Sequence, residues 1–344
     1  MSKTEYPERS RIYDVTLRDG NHALRHSLSL DLVRDYCQIA NVSSVDYIEI
    51  GHGNGLGASS ALVGFSRQSD LALLSTAREN LPDKLLAVHC IPGFATISKD
   101  VSPAIDIGVD VFRIASHVTE ADTTAKHIDY VRSNNLEAMG VLMMSHMASL
   151  ARLVEESLKL ESYGATAVIL MDSAGHYTPN DVRQRLGTVL EHVGVEVGFH
   201  AHNNLGCGIA NSLAARSVGA SILDGASMGL GAGSGNAQLE CLIAVLSREE
   251  TFDYGTLDEF FLMSELIEKE ASAFLPRVTS SSLMSANSGV FSGYAPMVRE
   301  LALEYSIRQE ALWRELGARS IIAGQESMIR EVAIEQASKS NLVE

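Results

Sequence analysis

The sequence predicts a (β/α)8 TIM barrel of the α/β class, followed by a small helical C-terminal region. Three observations predict it. Eight short apolar or β-branched runs recur near 11–16, 46–51, 85–91, 110–116, 137–143, 166–172, 195–201 and 221–226, with helical patterns between them. That count over ~240 residues matches a barrel in number and length. Several intervening helices close on a glycine just ahead of the next apolar run, as at Ile107-Gly108-Val109, Tyr163-Gly164-Ala165 and Val218-Gly219-Ala220. Glycine past a helix end is the expected αβ connection. From about residue 275 the alternation stops. An open doubly wound sheet is the runner-up, but it would carry a glycine-rich phosphate turn after its first strand. The turn here, Arg18-Asp19-Gly20-Asn21-His22, is not one.

Taken in order, Ile12-Tyr13 opens the first strand, and Leu30 to Ala40 reads as a helix with Asp31 early in its first turn. Leu150 to Tyr163 reads as a helix because Leu150, Val154, Leu158 and Glu161 fall at helical spacing. Beyond the barrel, Ala295–Tyr305, Gln309–Leu316 and Glu326–Ala337 read as helices joined by Gly- and Ser-rich turns. The stretch Thr279-Ser-Ser-Ser282 reads as a hinge. The expected division is a catalytic barrel over 1–274 and a helical domain over 275–344.

Composition narrows the function. The chain has 344 residues, 46% hydrophobic and 20% charged, enough for a sizeable core. Its net charge of −16 argues against nucleic acid or an anionic membrane as the main partner, since both want basic patches. A local arginine or metal ion still allows an anionic substrate. Cys37, Cys90, Cys207 and Cys241 form no CxxC pair, so reduced thiols in a cytoplasmic protein are expected. The first ten residues have no apolar signal core, and no apolar stretch approaches the ~18 residues of a spanning helix.

A barrel carries its chemistry at the C-terminal ends of its strands. There the sequence places Asp14, Thr16, Arg18 and Asp19, then Glu49 and His52, His89, Arg113, Ser116 and His117, Ser145 and His146, Asp172 and Ser173, His200, His202 and Asn204, and Asp224. His200 and His202 are two apart on one strand, so their side chains leave on the same face. With one carboxylate they would make a facial set for a divalent ion, leaving positions for water and substrate. Asp19 is the expected ligand, because barrel closure brings the first and seventh strands near each other. Asp14 is the expected buried hydrogen-bond acceptor inside the barrel. Arg18 would stabilise an enolate oxygen, although a plain salt bridge is the bland alternative. His22 would act as a general base, against the alternative of a solvated loop residue. The run Gly229 to Asn236 offers backbone amides to a carboxylate or phosphate, with tight packing or a turn equally open. Met143-Met144-Ser145-His146-Met147 reads as core and rim packing.

These residues resemble a known family, the 4-hydroxy-2-oxoacid aldolases typified by 4-hydroxy-2-oxovalerate aldolase. It belongs to the wider metallolyase group that includes isopropylmalate synthase and 3-hydroxy-3-methylglutaryl-CoA lyase. The matching motifs are Asp14-Val-Thr-Leu-Arg-Asp-Gly20, Gly51-His-Gly-Asn-Gly-Leu56, Thr119-Glu-Ala-Asp122, Leu142-Met-Met-Ser-His-Met147, His200-Ala-His202-Asn, Gly229 to Glu240 and Gly324-Gln-Glu326. The likeness runs from about residue 11 to 335.

The resemblance implies a carbon–carbon lyase that cleaves or forms a 4-hydroxy-2-oxoacid from pyruvate and an aldehyde, in aromatic hydrocarbon catabolism. It implies Mn2+, with Mg2+ or Co2+ as substitutes, held by Asp19, His200 and His202, with pyruvate or its enolate on the ion. Arg18 would stabilise the enolate, His22 would take the C4 hydroxyl proton, and Ser173 would bind the carboxylate. An acylating aldehyde dehydrogenase is the implied partner, in an oligomeric enzyme. The chain departs from the family at Phe291, where a Gly-Val-Tyr-Ser motif becomes Gly289-Val-Phe-Ser292, and at His89, where the family has leucines lining the aldehyde pocket. Asp172-Ser-Ala-Gly-His-Tyr-Thr-Pro179 and His202-Asn-Asn-Leu-Gly206 lean toward the acyl-CoA-condensing branch. Two alternatives therefore stand beside the aldolase: a Claisen-type acyl-CoA and 2-oxoacid condensing enzyme, and a weakly catalytic scaffold for a dehydrogenase.

Overall fold

The computed structural model describes residues 9–249, 254–322 and 325–340. Eight parallel strands close into a barrel in chain order: β1 Arg11–Asp14, β2 Tyr47–Glu49, β3 Leu85–Cys90, β4 Val111–His117, β5 Glu137–Met143, β6 Ala167–Asp172, β7 Glu196–Ala201 and β8 Ile222–Gly225. The last strand returns to the first, with Tyr13 opposite Asp224. Each expected strand is present, shifted at its ends by a residue or two.

The outer layer is α1 Gly20–Ala23, α2 Leu30–Val42, α3 Asp70–Asn80, α4 Ser102–Ile107, α5 Ala125–Ser133, α6 Leu150–Ser162, α7 Pro179–Leu190, α8 Gly208–Ser217, α9 Leu239–Glu249 and α10 Asp258–Ala271. Hydroxyl side chains start many of them. Ser29, Ser69 and Ser149 accept from the backbone N–H three residues on, and Thr178 with Asp181 forms a full capping box. Gly108, Gly164 and Gly219 take φ of +100°, +97° and +111° at the helix ends, the left-handed turn that returns the chain to the next strand.

Helices α11 Ser280–Asn287, α12 Ala295–Glu304, α13 Gln309–Ala318 and α14 Glu326–Ser340 follow. They carry their own apolar core around Val298, Leu301, Leu312, Trp313, Leu316 and Val332. Thr279–Ser282, expected as a hinge, is where α11 begins. Thr279 and Ser282 form a reciprocal capping box that starts α11, because hydroxyls satisfy the free N–H groups of a helix start. Gly324 of the Gly324-Gln-Glu326 motif, and residues 1–8, lie outside the described residues.

Asp14 is buried, but it does not point inside the barrel. Tyr13 takes the inward position, so period-2 alternation sends Asp14 outward against α2. There it accepts from Thr16 N at 2.9 Å and from the Tyr36 hydroxyl at 2.8 Å. Among the described residues no helix is long and apolar enough to cross a membrane.

Candidate active site

Strand alternation builds the site. Tyr13, Glu49, His89, Arg113, His200 and Asp224 form a buried polar layer. It lies one step nearer the C-terminal mouth than an apolar plug that includes Tyr47, Ala87, Val111, Ala167 and Ile222. Arg113 meets Asp224 with two bonds of 2.5 and 2.8 Å, and its guanidinium lies 3.2 Å from the Tyr13 ring centroid. The Tyr13 hydroxyl donates to Glu49 Oε1 at 3.3 Å, and Arg18 Nε donates to Glu49 Oε2 at 2.6 Å. The layer thus pairs each guanidinium with a carboxylate. Breaking one such pair strands a buried charge, at a cost of roughly 3–5 kcal/mol.

Asp19, His200 and His202 come together at the mouth, as their spacing predicts. One ligand atom from each lies within 4.8 Å of the others, and all three residues are buried. His200 Nδ1 lies 2.7 Å from Asp224 Oδ2. Arg113 outweighs burial and keeps Asp224 below its ordinary pKa, so the carboxylate accepts and the imidazole donates from Nδ1. His200 Nε2, on the far side of the ring, is buried and has no partner. His202 Nε2 stands 4.0 Å from Asp19 Oδ2, and His202 Nδ1 is buried without a partner.

Asp19 Oδ1 receives Arg18 Nη1 at 2.7 Å, and Oδ2 receives Asn236 Nδ2 at 2.8 Å. Arg18 Nη2 and Asn236 Oδ1 are buried without partners. Burial alone would raise the Asp19 pKa. The Arg18 guanidinium chiefly overcomes it and holds the carboxyl well below the usual range. Burial pushes His202 down to about 3 against the pull of Asp19. At neutral pH the set is therefore a carboxylate beside a neutral His202, with His200 turned to Asp224 through its Nδ1. Such donors fit a divalent ion, and the buried, unpartnered His200 Nε2 is available to it.

His22, on α1, is half-buried, and burial pushes it down to about 4, so at neutral pH it is free to accept a proton. Its ring meets Phe291 edge-on at 6.5 Å between centroids, which brings the helical region to the site. Tyr294 packs on Phe291 at 5.7 Å, but its hydroxyl donates to Ile322 O at 2.8 Å and does not replace the missing phenol. His89 is 2% exposed, and its Nδ1 has no partner, the nearest acceptor being Glu49 Oε1 at 3.8 Å. Ser173 Oγ accepts from Met144 N at 2.9 Å. Its own hydroxyl proton remains to donate.

The Gly229–Asn236 loop uses backbone amides on itself: Gly229 N, Leu230 N, Gly235 N and Asn236 N donate to Ala226, Ser227, Ala232 and Gly229 carbonyls. It is a tight turn, and what it delivers is the Asn236 side chain. In the Asp172–Pro179 motif, Asp172 accepts from His176 N and Tyr177 N, and Thr178 caps α7. His176 Nδ1 lies 2.7 Å from Ala286 O, and His146 Nε2 lies 2.9 Å from Gly289 O. Both imidazoles therefore fasten the end of α11 to the barrel mouth.

Sequence reading assigned no role to Glu49, Arg113, Asp224 or Asn236. The first three were visible as charges on apolar strands. Asn236 was hidden in a glycine-rich run with no signal of its own.

Residues 9–267 match the HMGL-like family, and residues 276–338 match the DmpG-like communication domain. The chain is 50% identical over 334 residues to the 4-hydroxy-2-oxovalerate aldolase of Spirochaeta aurantia, covering 96% of this chain and 97% of that one. It is 48% identical over 331 residues to the enzyme of that name from Pectobacterium atrosepticum, covering 95% of each. Among solved structures, the carboxyl transferase domain of Rhizobium etli pyruvate carboxylase superposes with a TM-score of 0.80 at 17% identity, over 97% of this chain and 61% of that one. That last likeness is one of fold.

Proposed function

The chain belongs to the family of 4-hydroxy-2-oxovalerate aldolases within the HMGL-like proteins, and from that premise we propose how its own residues cleave a 4-hydroxy-2-oxoacid to pyruvate and an aldehyde. The protein is a divalent-metal-dependent carbon–carbon lyase. The observation that carries the residue assignment is the meeting of ligand atoms of Asp19, His200 and His202 within 4.8 Å, beside the buried and unpartnered Arg18 Nη2, His200 Nε2 and Asn236 Oδ1.

Asp19, His200 and His202 would hold the ion, and Mn2+ is the one to supply first. The ion supplies Lewis acidity beside the substrate's 2-oxo group. Arg18, fixed by Glu49 and Asp19, offers Nη2 to the oxygen that gains negative charge as the bond breaks. His22 takes the proton from the C4 hydroxyl, the C3–C4 bond opens to release the aldehyde as its electron pair passes to the 2-oxo oxygen, and return of a proton to C3 gives pyruvate. The Ser173 hydroxyl donates to the substrate carboxylate. His89 and Phe291 face the aldehyde end, and the unpartnered Nδ1 of His89 favours an aldehyde that carries a further hydroxyl.

We assign catalysis to residues 1–274 and the helical domain to residues 275–344. The match to a DmpG-like communication domain supports an acylating aldehyde dehydrogenase as partner, in an assembly of several copies. Four free cysteines support a cytoplasmic enzyme. The test is pyruvate release with Mn2+ across a panel of 4-hydroxy-2-oxoacids, including one with a hydroxylated aldehyde half. Turnover of at least one member is expected. No turnover of any, or release of free thiol from acyl-CoA and pyruvate, would overturn the reading.

A further inference from the structure

Among what the mechanism leaves unused are the motif Gly51-His52-Gly53-Asn54-Gly55-Leu56 and, outside it, His26. The His26 and His52 rings stack almost parallel, 3.6 Å apart at 13°. Gly53 N–H donates to His26 Nδ1 at 3.3 Å, and Asn54 N–H donates to His52 Nδ1 at 3.1 Å. A backbone amide can only donate, so both Nδ1 atoms are unprotonated and both protons sit on Nε2. His52 Nε2 donates to Gly64 O at 3.1 Å, and the neighbouring Val63 backbone accepts from His26. Two neutral rings thus join the same two backbone segments side by side. His26 holds this place at a cost. It and Arg25 take φ of +59° and +52°, a left-handed conformation that non-glycine residues adopt with strain.

What the stack holds is the Gly53 peptide. The Gly53 carbonyl accepts from Arg18 Nη1 at 3.2 Å and is also the backbone hydrogen-bond partner of His22. The residue lies flat under the His22 ring: a Cβ at Gly53 would fall 2.6 Å from His22 Cγ and Nδ1. The Gly53–Asn54 peptide therefore faces His52 through its N–H and two side chains of the reaction through its C=O, while the peptide before it faces His26 through the Gly53 N–H. We propose that the His26–His52 stack is a positioning device, which fixes Gly53 and through it the tautomer of His22 and the aim of Arg18. The inference rests on the reading of His22 as the base.

The test uses the full chain with Mn2+. His26→Gly keeps the positive φ without strain and deletes the Nδ1 acceptor. His26→Asn tolerates the same φ and restores an acceptor oxygen. The expected result is a kcat loss of roughly 10- to 100-fold in His26→Gly, with KM changed about twofold or less, and recovery of most of kcat in His26→Asn. In a His22→Ala background most of the further loss from His26→Gly should vanish, because residues acting through one another are not additive. Full kcat in His26→Gly, or an undiminished loss on top of His22→Ala, would overturn the proposal. Imidazole 15N resonances give a readout that does not depend on turnover. His22 should show one tautomer in the wild type and a mixture in His26→Gly. An unchanged tautomer would also overturn it. Failure of the wild type to release pyruvate would sink the aldolase reading alone.

Discussion

Asp14 and Asp19 leave the first strand and its turn five positions apart, and burial affects them in opposite ways. Asp14 sits between β1 and α2 with hydroxyls and an amide for company, and its pKa is raised to about 6, chiefly by burial. Asp19 sits at the barrel mouth beside Arg18, His202 and His200, where the Arg18 guanidinium chiefly outweighs burial and holds it low. The outer wall of the barrel asks a carboxylate to be a hydrogen-bond acceptor. The inner mouth keeps one charged in a dry site, where it can share a cation. The field around a buried acid, more than its burial, separates a structural carboxylate from a functional one.

The largest effect that would break this contrast is at Asp19. Asp19→Asn removes the charge between Arg18 and the two histidines while keeping the shape. Turnover should fall by roughly 10³-fold, and Mn2+ binding by calorimetry should weaken with it. Full activity in this variant would return Asp19 to the same class as Asp14. A smaller effect is expected one layer down. Glu49 touches Arg18 Nε at 2.6 Å and is not one of the three proposed ligands. Glu49→Gln keeps an acceptor and loses the charge, so Arg18 is held less firmly. kcat should fall by about 10- to 100-fold, with Mn2+ affinity little changed. Equal losses in both quantities would show that the layer acts on the metal set as a whole.

Much of this was legible in the chain because local rules govern it. The strands follow from apolar runs, the helix ends from Gly108, Gly164 and Gly219, and the shared face of His200 and His202 from a spacing of two. The pairing partners were not legible. Whether Asp224 serves His200 or Arg113, or both, depends on which strands adjoin after closure and in what register, which the β1–β8 and β7–β8 pairings decide. The direction of Asp14 was misread for a related reason. The inward position belongs to Tyr13, and a one-residue difference exchanges the two faces of a strand. At Thr279–Ser282 hydroxyl-rich composition read as a hinge, although the same hydroxyls are strong helix starters when spaced to cap.

Asp14 itself should have the smallest effect on turnover and should be visible in stability. Its carboxyl ionises near pH 6 in the native chain and near its ordinary value of 3.8 when unfolded. Between about pH 4 and 6 the native state therefore holds a proton that the unfolded state has lost, so stability falls as pH rises through that window and levels off above it. A shift of this size corresponds to on the order of 2–3 kcal/mol. Asp172, also raised to about 6, contributes with the same sign, so the informative quantity is a difference between variants. Asp14→Asn has no charge to lose. Its Oδ1 can still accept from Thr16, and the Tyr36 hydroxyl can accept from the new amide while donating to Ser227 Oγ, 2.7 Å away. Measured by thermal unfolding from pH 4 to 7, the wild type should lose more stability with rising pH than Asp14→Asn, while kcat at pH 7.5 stays close to wild type. Parallel curves would mean that Asp14 is charged at low pH like Asp19, and the contrast between the two faces of the strand would fail.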